Sequence, residues 1–430
     1  MINEIKKSNK QHKTFMATII LVAAVLLAGN ILVKNTSDII NVICIVIFPF
    51  LNVSGVVALV CFFIPVHSGI SGIYILGYAV IIIILKERKL EIKTLIFFCM
   101  VALLEVFLCL FAPNFQLMKV IPYLCALFIF IYGINNKTSI DYKQCCYSYI
   151  FGTILLMSCV FITSSMTYGL EEIFSGYFRI GINDEILNST TNIAFISDNP
   201  NALGCYSASS IVLTLFLFSN KGKYLKILFI VSLLVNIFVG ALTISRTWLA
   251  VTALGIASYV LLGTKVKNRL LILIIVASVI AIAIYCLDTY TNIIKAFVAR
   301  LDGVDLSDND RTYINSMYIN WMIERPFHFI LGTGATFYQD VCNLGIALHS
   351  GPVHVFVAYG ILGSIFFIVL LTTPIFGYFA NRPFKIAKIL PLLVAITFTL
   401  TGHFLNPYYL MFPYMVAIFY MRIDENTGAQ

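Results

Sequence analysis

Long apolar runs recur along this chain from residue 15 to residue 421, and they constrain its fold more than any other feature. Apolar residue types make up 60% of the 430 residues and charged types only 11%. Soluble domains average roughly 45–50% apolar and about 25% charged residues. A soluble globule with this composition would lack the polar surface it needs. The mean hydropathy of +0.94 also indicates a membrane protein. The sequence therefore predicts an all-α integral membrane protein.

Fourteen segments are candidate membrane crossings, because about 20 apolar residues span a hydrocarbon core and fewer suffice where the bilayer thins. They are residues 15–33, 39–51, 53–66, 70–85, 92–111, 117–134, 147–166, 203–218, 224–244, 248–262, 270–287, 353–380, 386–401 and 408–421. The sequence therefore predicts a polytopic helix bundle with about 12–14 transmembrane segments. The weakest are 39–51 and 53–66, which could also form one kinked or re-entrant segment.

Basic residues indicate the orientation, because Lys and Arg in short loops stay on the cytoplasmic side. With fourteen spans and a cytoplasmic N-terminus, 20 of the 28 basic residues fall in cytoplasmic segments. A single crossing over 39–66 would place the basic cluster at 86–93 outside, so two segments are preferred there. We expect a multi-pass protein of the cytoplasmic (inner or plasma) membrane with both termini cytoplasmic. The net charge of +8 then reflects topology and not nucleic-acid binding.

Two regions follow from this topology. Residues 1–200 hold N-terminal transmembrane helices, and residues 201–430 hold C-terminal ones with a large extracytoplasmic loop, 288–352. Long loops are often functional, and this loop contains helical patterns. Four residues at helical spacing predict an amphipathic helix on the membrane face: Tyr313, Met317, Tyr318 and Trp321.

Two arginines at predicted outer helix ends are candidate anion ligands. Arg246 lies at a junction of two helices, where a guanidinium must reach water or meet an anion. Its alternative role is an interfacial anchor beside Trp248. Arg311 opens the amphipathic helix, and its alternative role is a surface ion pair with the preceding acidic residues: Asp305, Asp308 and Asp310.

His349 lies just outside the predicted start of the helix at 353–380. A helix N-terminus disfavours the imidazolium form and keeps the ring neutral, so the ring can accept a proton from a hydroxyl. Gly360 and Gly363, 11 and 14 residues further on, share one helix face. Their alternative role is close helix packing. His354 and His403 are competing candidates, and packing is the alternative role for each histidine.

Other polar residues carry weaker signals. Asn199 or Asn201 can cap a helix that begins at Pro200, and Asn201 is also a candidate substrate contact. Glu105 is an acid within a predicted span and is a functional candidate by default, although it could equally pair inside the bundle. The GTG sequence at 332–334 predicts a flexible turn and is too short to indicate a phosphate loop. No Cys or His spacing predicts a metal site.

Taken together and in this order, these residues resemble the bacterial O-antigen ligase/polymerase family of integral membrane enzymes, which act on polyprenyl-diphosphate-linked glycans. The resemblance covers roughly residues 195–420. One residue departs from the family pattern, since Ser350 stands where Asn usually follows the histidine. The matching residues are Ser245 with Arg246, Arg311 followed by Pro326, Gly332 and Gly334, and His349 followed by Gly360 and Gly363.

The resemblance implies polymerisation of undecaprenyl-diphosphate-linked repeat units into O-antigen or capsular polysaccharide, by glycosyl transfer without a metal or other cofactor. Arg246 and Arg311 would bind the diphosphate, Asn201 and His354 would contact substrate, and His349 would be the general base. The expected partners are the lipid-linked oligosaccharide, membrane lipids, a chain-length regulator and a flippase, with no nucleic acid. Five outward-facing aromatic residues are candidates for stacking on sugar rings, and packing in the core or at an interface is their commoner, alternative role: Tyr168, Tyr177, Phe178, Tyr313 and Tyr318.

Three alternatives remain open. A ligase that transfers the glycan to lipid A-core would use the same residues, and only segment 67–75 favours polymerase, through its resemblance to segments of such enzymes. A flippase or other transporter would line a central cavity with charge through the bilayer depth, where Glu105 is nearly the only candidate. A structural scaffold would leave the grouping of two arginines and a histidine unexplained.

Overall fold

The computed structural model describes residues 2–32, 34–67, 72–87, 90–136, 139–175, 179–181, 199–217, 223–263, 291–302, 306–348, 350–380, 385–402, 404–406 and 411–423, with 285, 288, 289 and 382. These residues form seventeen α-helices and no strand. The helices are α1 Ile2–Leu32, α2 Ser37–Ile47, α3 Val53–Phe63, α4 Gly72–Lys86, α5 Ile92–Cys109, α6 Leu117–Asn135, α7 Tyr142–Phe174, α8 Pro200–Leu217, α9 Lys223–Leu242, α10 Arg246–Ser258, α11 Ile293–Asp302, α12 Leu306–Ile323, α13 Pro326–Leu331, α14 Tyr338–Cys342, α15 Gly351–Phe379, α16 Ile386–Thr401 and α17 Phe412–Arg422. The all-helical fold class is confirmed for the residues described.

The centre of the bundle is formed by helices that are buried on every side. All residues of α3 and α17 are buried, and α8 is almost entirely buried. Helix α7 contacts α3, α8, α9 and α17. It approaches α3 closely because Gly152 lacks a Cβ, which would overlap the carbonyl of Phe62. Small residues commonly allow such close contacts between membrane helices.

The outer helices present large apolar side chains to the surroundings. Leu103 on α5 and Phe376 on α15 are each 72% exposed. Exposed apolar surface on this scale marks contact with lipid or another apolar phase. Six described helices are long and apolar enough to cross a membrane, which indicates a membrane-embedded protein. They are 13–32, α5, α6, α7, α8 and α15.

Helix lengths do not by themselves support fourteen crossings. Six further apolar helices have only 10–17 residues, and an 11-residue helix such as α3 is about 16 Å long, roughly half of a 30 Å hydrocarbon core. Predicted span 270–287 falls almost wholly outside the described residues. Span 408–421 is described only from residue 411 onward. The number of crossings therefore stays a prediction.

The weakest predicted spans, 39–51 and 53–66, form two separate elements, as preferred from the sequence. Helix α2 passes into a short 3₁₀ turn, Phe48–Phe50. Leu51 and Asn52 are extended, with ψ of 152° and 170°. The Asn52 side chain then accepts the Gly55 N–H at 2.8 Å and caps α3. Pro49 and this cap explain the break, because a proline removes a helix donor and an Asn starts a new helix.

Loop 288–352 contains helices, as predicted, but protein covers part of the amphipathic face that was predicted to lie on the membrane. In α12, Tyr318 is fully buried and its hydroxyl donates to the Ile346 carbonyl at 2.6 Å, whereas Tyr313 is 64% exposed. The outward orientation predicted for Tyr318 is therefore wrong, and its alternative role, packing in a core, is confirmed. The tyrosine packs in a small core of its own, because α14 and the start of α15 cover α12. That core comprises Tyr318, Met322, Tyr338, Cys342, Leu348 and Val357.

Candidate functional site

The starts of α8 and α10 lie at the same end of the bundle. A Cβ at Gly204 would lie 3.1 Å from the Trp248 Cβ, and Gly255 packs against Val212, so the two helices run in the same direction. The Ser245 hydroxyl accepts the Trp248 N–H at 3.3 Å and caps α10. This pairing places the Arg246 end of α10 beside the Asn201 end of α8.

Arg179 connects these two helix ends. Its Nε donates to the Thr243 carbonyl at 2.8 Å, and its Nη2 donates to Asn201 Oδ1 at 2.8 Å. Thr243 lies three residues before Arg246. The structure thus brings the predicted residues Asn201 and Arg246 to one place. Arg179 has no role among the sequence predictions, and its only signal in the sequence is a guanidinium on the predicted outer side.

The turn before Arg246 is backbone-strained. Ile244 has φ +46° although it is β-branched, and such residues rarely adopt positive φ. It is buried, and the Ile180 N–H donates to the neighbouring Leu242 carbonyl at 3.1 Å. Strain of this kind clusters at functional sites, where the surroundings impose one conformation. The turn therefore holds the start of α10 in a defined geometry.

A second group of predicted residues surrounds the core of loop 288–352. Helix α12 begins at Leu306, so Arg311 lies in its second turn and does not open the helix as predicted. It lies about 10 Å along the helix from Tyr318 at 1.5 Å per residue. His354, 5% exposed, lies in the first turns of α15, with its ring centroid 4.7 Å from that of Tyr338. Tyr338 and Tyr318 are also in ring contact, with centroids 5.8 Å apart. The structure thus joins the helix of Arg311 to His354 through two tyrosines.

The predicted ion pair of Arg311 stays a prediction. Asp305 lies outside the described residues, and so do the side chains of Asp308 and Asp310.

Burial keeps the acidic groups in this core protonated. It raises the pKa of Tyr338, although the Leu348 N–H that donates to its hydroxyl acts in the opposite direction. Burial also raises the pKa of Cys342 to about 12, partly offset by the positive charge of Arg325. Neither group ionises at neutral pH, so neither is a candidate general base.

Two of the predicted histidines, His349 and His403, lie outside the described residues, and the base role of His349 stays a prediction. The helix start beside His349 is confirmed, since Ser350 occupies the N-cap position and α15 begins at Gly351. A Cβ at Gly351 would overlap the Thr399 carbonyl of α16. Helix α16 also contacts α8 and α10, so it lies between the two groups of candidate residues.

Residues 331–337, named here the GTG segment, pack against a kink in α15. The kink is at Gly360, which has φ +61° and ψ −164°. The Thr333 N–H donates to the carbonyls of Val357 and Ala358 at 3.0 and 3.1 Å, and the Gly334 N–H donates to Ala358 at 2.8 Å. Because the kink interrupts the helix, carbonyls are available that a regular helix would use internally.

Glycine is required on both sides of this contact. Gly332 has φ +89°, and a Cβ there would overlap the Ala358 carbonyl; a Cβ at Gly360 would overlap the Ile330 carbonyl. Gly360 thus admits the end of a neighbouring helix, because Ile330 belongs to α13, and its alternative role of close helix packing is confirmed. Gly363 does pack beside Leu104 of α5. Gly332 and Gly360, both matched to the family pattern, therefore each lie against backbone close in sequence to the other glycine.

Glu105 is fully buried and accepts hydrogen bonds from the GTG segment. Its Oε2 accepts the Ala335 N–H at 2.8 Å, and its Oε1 accepts the N–H and hydroxyl of Thr336 at 2.9 and 2.6 Å. Cys109 Sγ also donates to Oε1, at 3.3 Å. All four of these groups, from three residues, are donors to the Glu105 side chain. The backbone N–H groups of the GTG segment are thus bonded to acceptors of the protein itself, and the segment is not a phosphate loop.

Glu105 lies closer to a helix end than its position within an apolar run indicated. Helix α5 ends at Cys109, one turn beyond it. Phe337, the last residue of the GTG segment, is buried against the α5–α6 connection with Cys109, Ala112 and Val120. The segment is therefore wedged between α15 and the α5–α6 pair.

Comparison of the chain with protein-family models, with curated proteins and with solved structures gives no match. The resemblance to the O-antigen ligase/polymerase family therefore rests on the motif residues alone. Within the described part of the chain, no group of His, Cys, Asp and Glu side chains is arranged to hold a metal ion. What the site offers there is the guanidinium groups of Arg179, Arg246 and Arg311 and a buried histidine, His354.

Proposed function

We propose that this protein is a glycosyltransferase that polymerises undecaprenyl-diphosphate-linked oligosaccharide repeat units into O-antigen or capsular polysaccharide. The proposal is carried by the contact between the GTG segment and the Gly360 kink. Two parts of the family-like pattern, separated in sequence, depend on each other's glycines there. A chance match of short motifs gives no reason for such a contact.

The candidate residues suit transfer from a diphosphate-linked donor. The acceptor hydroxyl would lose its proton to His349 and attack the anomeric carbon of the donor, whose bond to the diphosphate oxygen breaks with inversion. The electron pair leaves with undecaprenyl diphosphate, and fixed cations stabilise the charge that develops on it. Arg246 and Arg311 can each make bidentate contacts with phosphate oxygens. Asn201 and His354 would position the sugars.

We further propose 12–14 membrane segments, both termini in the cytoplasm, and loop 288–352 on the outer side of the cytoplasmic membrane. The relative helix directions support this topology. Helices α3 and α7 run in parallel, since Ser54 contacts Asp141 and Phe62 contacts Gly152. Helix α9 is antiparallel to α8, with Ser207 bonded to the Asn236 carbonyl and Thr214 to Ser232. In the predicted topology α3 and α7 are the third and seventh crossings and must be parallel, whereas α8 and α9 are consecutive crossings and must be antiparallel.

A transporter is less well supported than an enzyme. Transport of a charged substrate calls for polar groups that line a cavity through the bilayer depth. Glu105, the main intramembrane candidate, is 0% exposed, and both of its oxygens are taken by the GTG segment and Cys109. The carboxylate therefore serves protein structure and lines no path for a substrate.

The deciding experiment incubates the purified protein in detergent with an undecaprenyl-diphosphate-linked repeat unit and separates the glycans by size. A ladder of products differing by one repeat unit is expected. Addition of lipid A-core distinguishes the ligase, which would give transferred glycan and no ladder from single units. A flippase would give no product in detergent but would move the lipid across the bilayer of proteoliposomes. Absence of a ladder from folded protein contradicts the proposal.

A further inference from the structure

We infer that Glu105 is a positioning residue for the proposed transferase, which fixes the GTG segment and, through it, the start of α15. The inference rests on the proposed function for its kinetic test. A thiol-labelling test of the same contact does not depend on that function.

The first step is the geometry of the contact. The carboxylate accepts two consecutive backbone amides with its two separate oxygens, from Ala335 to Oε2 and from Thr336 to Oε1. Two bonds in this arrangement fix the orientation of the peptide as well as its distance. The hydroxyl of Thr336 adds a third bond at 2.6 Å.

The GTG segment needs support from other parts of the protein. Gly332 and Gly334 both have positive φ, +89° and +86°. Glycines lose more conformational freedom on folding than other residues, so a segment built on two of them is not rigid by itself. On one side it is held by the carbonyls of Val357 and Ala358. On the other side the polar support is Glu105.

The third step links this support to the candidate reacting residues. Tyr338 follows Thr336 by two residues, and its ring lies 4.7 Å from that of His354. Ala358, which receives the Gly334 N–H, is one helical turn beyond His354. A displacement of Thr336 would therefore reach the first turns of α15 from two directions. Glu105 itself is enclosed by protein and acts through its protein neighbours.

Glu105→Gln is the sharpest variant, because glutamine has nearly the same shape and preserves the packing of α5. Its amide nitrogen is a donor, so one of the amides of Ala335 and Thr336 loses its acceptor. We expect kcat for polymerisation to fall about 10- to 100-fold, as for loss of a hydrogen bond to a charged group. KM for the lipid-linked donor should stay within about threefold, because Arg246 and Arg311 are untouched.

Thr336→Val is the second variant, and it removes only the hydroxyl donor. We expect a loss of about 3- to 20-fold in kcat. The double variant Glu105→Gln/Thr336→Val should be within about threefold of Glu105→Gln, since both changes act on one contact. Glu324→Gln is the matched control, because Glu324 is exposed on the same loop, and it should keep wild-type kinetics.

The labelling test uses native Cys342, which ends α14 and is buried. In the wild-type protein this thiol should react slowly with a maleimide, followed by mass spectrometry of its peptide, because burial holds its pKa near 12. We expect Glu105→Gln to raise the labelling rate at Cys342 about tenfold or more. Lys295→Ala, at an exposed position of α11, is the control for this test and should leave the rate unchanged.

The outcomes distinguish failure of the positioning role of Glu105 from failure of the proposed function. Faster labelling of Cys342 together with a fall in kcat supports the inference. Unchanged labelling overturns it, whatever happens to activity. If the wild-type protein gives no ladder but Glu105→Gln still exposes Cys342, the proposed function fails. The positioning of the GTG segment by Glu105 is then still supported. If Glu105→Gln does not fold, labelling and kinetics of Thr336→Val decide in the same way.

Discussion

The Oε2 atom of Glu105 accepts the backbone N–H of Ala335 at 2.8 Å, across 230 positions of sequence. Glu105 belongs to region 1–200 and Ala335 to loop 288–352. The contact is one of several between the two parts of the chain. Helix α17 packs on α6 and α7, and α8 packs on α7. The helices before and after residue 200 therefore share one continuous core, and the loop is supported by both.

The orientation of loop 288–352 is testable with a single cysteine. Lys295 lies on an exposed face of α11, and the positive-inside asymmetry places it outside. We expect Lys295→Cys to react with a membrane-impermeant maleimide in intact cells or spheroplasts. The matched control is Lys388→Cys, at the predicted cytoplasmic end, which should react only after lysis. The reverse pattern would contradict both the topology and the assignment of the site.

The two predicted diphosphate ligands should not tolerate lysine. A lysine keeps the charge but cannot reproduce two parallel hydrogen bonds. We expect Arg246→Lys and Arg311→Lys each to lower the rate of polymerisation by roughly 10²–10³, as for loss of one charge-assisted contact in a transition state. Lys295→Ala, on the same loop as Arg311 and exposed, serves as control. Near-normal ladders at normal protein levels would contradict diphosphate binding and favour the alternative roles, an interfacial anchor for Arg246 and a surface ion pair for Arg311.

A general base at His349 predicts a loss of chemistry without a loss of binding. Removing it should lower polymerisation about 10²- to 10⁴-fold, while His349→Ala still retains the lipid-linked repeat unit in a pull-down. His354→Ala should be intermediate, because its ring packs on Tyr338.

His328→Ala is the comparison for His349→Ala. The Nδ1 of His328 lies 2.8 Å from the Gly332 carbonyl, so this change should cost less than about tenfold, the value of one hydrogen bond. A full ladder from His349→Ala would reject the base assignment.

Glycine substitutions separate backbone strain from lack of space. Gly360→Ala meets both obstacles and should lower the free energy of unfolding by about 2–5 kcal/mol. Gly345 also has positive φ, +64°, but nothing within 4 Å, so Gly345→Ala should cost only about 1–2 kcal/mol. Gly377 has neither obstacle, and its alanine variant should stay within about 1 kcal/mol of wild type. Denaturant titration of purified protein measures the series, and equal costs at Gly360 and Gly345 would contradict the close contact.

Local signals in the sequence were sufficient for the helices and several of their ends. Pro200 begins α8, Ser350 precedes α15, and Pro49 with Asn52 separates α2 from α3. Each of these boundaries depends on residues within about one turn, through a cap or a missing donor. Apolar composition also gave the all-helical class, because a helix satisfies its own backbone in an apolar phase.

The partners of the polar residues were decided by tertiary structure alone. The acceptor of the GTG amides, the partner of Glu105 and the role of Arg179 could not be predicted from the sequence. Each of these contacts joins residues that are separated along the chain. Periodicity also misplaced Tyr318, because an apolar helix face looks the same whether lipid or protein covers it. A buried polar group must find a partner wherever packing brings one, and packing depends on the whole bundle.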